Sequence, residues 1–82
     1  MLEKLSVEIT KIRVPSKRSR ALDEGKLELI AEDMIENGQT TPIQVRIDGD
    51  GYILVEGLHR LEALRALGET MVEAYIVRAR LH

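Results

Sequence analysis

The sequence predicts a small two-layer α+β domain, a mixed sheet packed against two amphipathic helices in the order β-α-β-β-α-β. Three patterns predict it. Apolar residues alternate with polar ones at both ends of the chain and in its middle, the period of half-buried strands. Leu27, Ile30, Ala31, Met34 and Ile35 fall at i, i+3, i+4, i+7 and i+8, one face of a helix. The apolar run Tyr52 to Val55 stops at Glu56-Gly57, and Leu58, Leu61, Leu64 and Leu67 then recur at helical spacing.

Each element follows in turn. Leu5, Val7 and Ile9 alternate, and Ile12 and Val14 continue in the opposite parity, which reads as one strand bent or bulged near Thr10 and ended by Pro15. Residues 15 to 25 form a polar connection. Asp23 can cap the first helix, Glu24 suits its positive end, and Asn37-Gly38 closes it. After Pro42, Ile43, Val45 and Ile47 alternate with Gln44 and Arg46 as a half-buried strand. Asp48-Gly49-Asp50-Gly51 is a hairpin signal, its aspartates acting as turn formers, and it leads into Tyr52 to Val55. The second helix ends at Gly68, and Val72 to Val77 makes the last strand. No repeat or interdomain linker interrupts the chain, so residues 1–82 read as a single domain.

Composition bounds the function. Eighty-two residues lie near the lower end of what folds on one core. The aromatic share is 2%, so the core is aliphatic. Without cysteine there is no disulfide, thiolate metal site or thiol nucleophile. A formal charge of −2 offers no global attraction to nucleic acid or anionic lipid. No apolar run approaches the roughly 20 residues of a membrane span, and no signal peptide is visible. The expectation is a cytoplasmic domain with no membrane partner. No metal-ligating cluster stands out, and His82 is given no role.

The turn at Glu56-Gly57 carries the chemistry. A strand that passes through glycine into a helix aims unpaired N–H groups and a positive dipole end at whatever lies above, and the natural ligand is a phosphate or carboxylate. His59 and Arg60, in the first turn, can add donors. The alternative is a solvated turn with Arg60 paired to Glu56 or Glu62. Glu56 itself can form a simple ion pair, orient Arg60, hold magnesium or act as a general base. Lys11, Arg13, Lys17, Arg18 and Arg20 put five bases into ten residues, which suits a solvated loop, a lid over a ligand or a patch touching nucleic-acid backbone.

Residues 22–38, followed by Thr41-Pro-Ile-Gln-Val-Arg, resemble the N-terminal region of ParB-type partition proteins, with its acidic-capped helix, glycine and Pro-Ile-x-Val-Arg strand. Gly57-Leu-His-Arg is similar to the Gly-Glu-Arg-Arg of ParB proteins and the Gly-Cys-His-Arg of sulfiredoxins, and Leu67-Gly-Glu-Thr before a strand fits the same pattern. The likeness runs from about residue 8 to residue 78.

This resemblance implies the ParB/sulfiredoxin-like fold, with a nucleoside triphosphate, CTP or ATP with magnesium, as cofactor. It places the phosphates on Gly57, Leu58, His59 and Arg60, with Lys26 near the nucleotide and Arg18 and Arg20 in a closing loop. Leu58 stands where sulfiredoxins carry their catalytic cysteine, so sulfinic acid reduction is excluded. Leu29 and Asp33 replace hydroxyl residues of the sulfiredoxin helix, and Leu61 replaces ParB's second arginine. The chain stops at His82, short of a helix-turn-helix, so site-specific DNA binding would need a partner or a missing domain.

The leading expectation is therefore a nucleotide-binding ParB-like domain acting in DNA maintenance and partition or in gene regulation. The first alternative is a phosphoryl-transfer or NTP-hydrolysing enzyme of small-molecule-kinase type, with Glu56 or Glu24 as catalytic base. A third reading is a bare interaction module, a homodimer through exposed strand edges. A ParB-like nuclease ranks lowest, for want of a carboxylate cluster.

Overall fold

A computed structural model describes residues 3–78, so Met1, Leu2 and the segment 79–82, with His82, lie outside the described residues. Its elements are β1 (Glu3–Glu8), β2 (Ile12–Arg13), α1 (Ser16–Ser19), α2 (Glu24–Asn37), β3 (Ile43–Asp48), β4 (Gly51–Glu56), α3 (Leu58–Ala66) and β5 (Met71–Ile76). The α+β class and the mixed sheet stand as expected. The five strands lie in the order β1-β5-β3-β4-β2. Neighbours β1/β5 and β3/β4 are antiparallel, and β2/β4 and β3/β5 are parallel.

The single bent N-terminal strand of the sequence reading is corrected to two strands. A 3-10 turn, Ile9–Lys11, separates them, and they occupy opposite edges of the sheet. A flat sheet of this width would hold its edge strands about 19 Å apart. The backbone from Glu8 to Ile12 can span only about 14 Å. The sheet must therefore curl until its edges approach one another. The connecting turn packs tightly on β4, the neighbour of β2: a Cβ at Gly51 would lie 2.7 Å from the Lys11 carbonyl oxygen.

One face of this curled sheet makes the core. Register puts Val7 opposite Val72, Ile43 opposite Ala74 and Val45 opposite Leu54, all buried. Leu58, Leu61, Ala63 and Leu64 of α3 and Met34 of α2 pack on them. At about 1.5–3 kcal/mol per large buried side chain, this aliphatic layer is the main driving force of folding.

Helix α2 begins as expected, the Asp23 carboxylate accepting from the Lys26 N–H at 3.2 Å, and ends at Gly38 with φ of 70°. Its buried stripe is narrower than expected. Leu27, Ile30, Ala31 and Met34 meet the core, but Ile35 is 70% exposed. Ile35 sits about 100° round the helix from Met34 and clears the sheet edge of the stripe. The connection 15–25 is also corrected, since it contains α1, a single turn with no buried residue. Leu67 is the C-cap of α3 and 36% exposed rather than a member of its buried face. Behind it Gly68 (φ 79°) closes a Schellman motif, with Glu69 N–H donating to the Leu64 carbonyl and Gly68 N–H to that of Arg65, both at 3.0 Å. Among the described residues no helix is long and apolar enough to cross a membrane.

Candidate functional site

Strand β4 delivers the chain to Gly57, which has φ of 107° and serves as N-cap of α3. Only glycine fits there. The conformation is left-handed, and a Cβ would stand 2.6 Å from Ile43 Cγ2, 2.8 Å from its Cβ and 3.1 Å from its Cα. Just before this turn the β3/β4 register shifts between Gln44 and Val45, so one extra residue of β4 is accommodated next to Glu56. No side chain caps α3, in contrast to α2, so its first N–H groups and positive dipole end stay available to a ligand.

These groups open onto a cavity of about 290 Å³ lined by Arg18, Ala21, Lys26, Ile30, Glu56, Gly57, Leu58, His59 and Arg60. Four chain segments meet here: α1, the loop behind it, the first half of α2, and the β4–α3 turn. Of the residues singled out in the sequence, Arg18, Lys26, Glu56 and Gly57 to Arg60 come together. Arg20, the C-cap of α1, and Glu24, the first residue of α2, lie outside the lining. Sequence reading missed Ala21 and Ile30. Ile30 carried a signal, since it follows Lys26 by one helical turn and shares its face. Ala21 carried none.

Polar contacts fix several of these groups. The Asp23 backbone N–H donates to His59 Nε2 at 3.0 Å. In neutral imidazole the proton then resides on Nδ1, which leaves His59 a donor for a ligand. Arg18 donates from Nη2 to Glu56 Oε1 at 3.2 Å and from Nη1 to Oε2 at 3.4 Å. Glu62 pairs with Arg65, at 3.4 Å. The alternative pairing of Arg60 with Glu56 or Glu62 is thus not what forms. Neither Arg60 nor Lys26 has a carboxylate partner within ion-pair distance among the described residues. The cavity holds three cations, one carboxylate and a helix N-terminus, an excess of positive charge suited to a polyanion. Among the described residues no three His, Asp or Glu side chains gather as a metal site.

The chain belongs to the ParB N-terminal domain family, whose model matches residues 2–81. Over 54 residues, 66% of the chain, it is 41% identical to the chromosome-partitioning protein ParB of Myxococcus xanthus (strain DK1622), of which it spans 18%. Among solved structures, sulfiredoxin from Arabidopsis thaliana superimposes with a TM-score of 0.83 at 27% identity, over 94% of this chain and 86% of that one. The C-terminally truncated chromosome-partitioning protein ParB from Caulobacter crescentus, complexed with CTP-gamma-S, gives 0.81 at 24% identity, over 95% of this chain and 46% of that one. The ParB/sulfiredoxin-like fold is thereby shown.

Proposed function

We propose that this chain is a nucleotide-binding module that takes the phosphates of a nucleoside triphosphate, CTP or ATP, over Gly57 to Arg60. The observation that carries the reading is the cavity itself. It joins an uncapped helix N-terminus to His59, Arg60, Lys26 and Arg18, with two of the cations unpaired among the described residues. A volume of about 290 Å³ is small for a whole nucleotide. It suits the phosphates, with the sugar or base against Ala21 and Ile30. No Phe, Tyr or Trp lines the cavity, so the flat groups it offers a base are the His59 ring and the arginine guanidinium planes. Family membership and a ParB structure solved with a CTP analogue support the same ligand class.

In this reading the backbone N–H groups of the first turn and Arg60 hold one end of the phosphate chain, and Lys26 and Arg18 neutralise the other. Magnesium would add positive charge between phosphate and the Glu56 carboxylate. The biological setting we infer is DNA maintenance and partition or gene regulation. DNA would be met through a partner or a further domain, and a homodimer is the simplest assembly. Arg20, outside the lining, is given no phosphate contact in this reading.

A second reading, phosphoryl transfer or NTP hydrolysis, is favoured by one observation: Glu56 lies in the cavity lining, where a general base is needed, whereas Glu24 does not. Calorimetric titration with CTP, ATP and GTP, each with magnesium, tests the binding module. Saturable heat with one triphosphate supports it, and no heat at millimolar concentration sinks it. Turnover abolished by Glu56→Gln with binding intact would select the enzyme.

A further inference from the structure

The Arg18–Glu56 contact joins residues 38 positions apart that both line the cavity. We propose that it is an exchangeable latch: Glu56 holds Arg18 in the absence of ligand, and an incoming phosphate takes Arg18 over and releases Glu56. This inference rests on the phosphate-site reading and concerns its regulation.

Three features carry it. First, α1 has no buried residue, and its only ion pair to another element among the described residues is the one through Arg18. Beyond its covalent link to core-packed Val14, this contact is the one side-chain polar tie from the turn to another element among the described residues. Second, the pair is weak by geometry. Its separations of 3.2 and 3.4 Å exceed the roughly 2.7–2.9 Å of a tight charge-assisted bond. Its side chains are 38% and 62% exposed, so solvent screens it. Third, the fork that Arg18 offers to two carboxylate oxygens matches two phosphate oxygens equally well. A ligand phosphate already held by Arg60 and the α3 N-terminus would win the guanidinium from a solvent-screened carboxylate.

Two consequences separate this from a passive surface ion pair. Glu56 competes with the ligand for Arg18 and repels its charge, so the free carboxylate lowers affinity until a divalent cation lies between them. Anion and cation binding are then positively coupled through Glu56. The α1 turn also becomes a reporter, loosened when the latch opens without ligand and held again when ligand replaces Glu56.

The test uses Glu56→Gln and Arg18→Ala in the intact chain, with inorganic tripolyphosphate as the probe. Glu56→Gln keeps the side-chain shape and removes the charge. Without ligand it should raise amide exchange and tryptic cleavage across residues 16–21 roughly threefold or more. In magnesium-free buffer it should bind tripolyphosphate roughly three- to tenfold more tightly than the parent, with the gain shrinking when magnesium is added. Arg18→Ala should weaken tripolyphosphate binding, and Glu56→Gln placed on it should then give a smaller gain. Unchanged or weaker magnesium-free binding by Glu56→Gln overturns the latch. So does unchanged exchange across α1. If the parent chain fails to bind tripolyphosphate at all, the phosphate-site reading fails, and the ligand-free exchange comparison alone decides whether the contact latches α1.

Discussion

The Asp23 backbone N–H donates to His59 Nε2 at 3.0 Å, so the N-cap residue of α2 is tied to the first turn of α3. Asp23 also caps its own helix through Lys26. One residue thus ties both helix N-termini together and fixes the ring of His59, which lines the cavity.

His59 variants should separate these two roles. Glutamine can keep an acceptor near Nε2, so His59→Gln should retain exchange protection at the Asp23 amide while losing the donor at Nδ1. Asparagine offers a donor near Nδ1 and no acceptor for Asp23, so His59→Asn should show the reverse. A hydrogen bond to an anion contributes about 1.5–3 kcal/mol, so losing the donor should weaken anion binding roughly tenfold or more. Amide exchange at Asp23, together with phosphate affinity, checks both patterns. Equal effects of the two variants on both readouts would refute the division of roles.

Gly57 and Gly49 offer a contrast between two kinds of glycine requirement. Both have positive φ, 107° and 58°, but a Cβ at Gly57 collides with Ile43 whereas nothing lies within 4 Å at Gly49. Gly49→Ala should cost only the backbone strain, about 1–2 kcal/mol. Gly57→Ala adds overpacking against a buried strand residue and should lose about 2–5 kcal/mol. Urea unfolding of both variants measures the difference, and equal losses would contradict the steric account.

Gln39 substitutes for a strand that has not yet begun. Its side-chain Oε1 accepts from the Glu73 N–H at 2.8 Å, and its Nε2 donates to the carbonyls of Glu73 at 2.9 Å and Thr41 at 3.1 Å. Gln39→Ala should therefore leave β5 backbone groups unsatisfied, at a cost of about 1–3 kcal/mol. Faster exchange of the Glu73 amide should accompany the loss. A variant with parental stability would show that water replaces the carboxamide freely.

Much of this architecture is legible in local sequence, because local rules fix it. The Asp23 cap, the Gly38 and Gly68 helix ends, the hairpin at Gly49 and the Gly57 turn all depend on neighbours within a few residues. What stays hidden depends on distant pairing. The parity break near Thr10 is visible, but only the pairing of β1 with β5 and β2 with β4 sends the two halves to opposite sheet edges. Gln39 reads as loop because its partner is 34 residues away. Among the bases of residues 11–20, the helical turn of α1 decides that Arg18 lines the cavity and Arg20 does not. Ile35 fits the helical period, yet it falls outside the stripe that meets the core and stays exposed.

The central claim, that the Gly57–Arg60 turn binds nucleotide phosphate, is tested most directly by following its backbone amides by NMR during titration with CTP or ATP and magnesium. The account predicts saturable shifts concentrated at Gly57, Leu58, His59 and Arg60. Arg60→Ala, which keeps the fold and removes one charge-assisted contact, should weaken the response roughly ten- to hundredfold. Amides of this turn that do not move at millimolar triphosphate, or that move identically in Arg60→Ala, would contradict it.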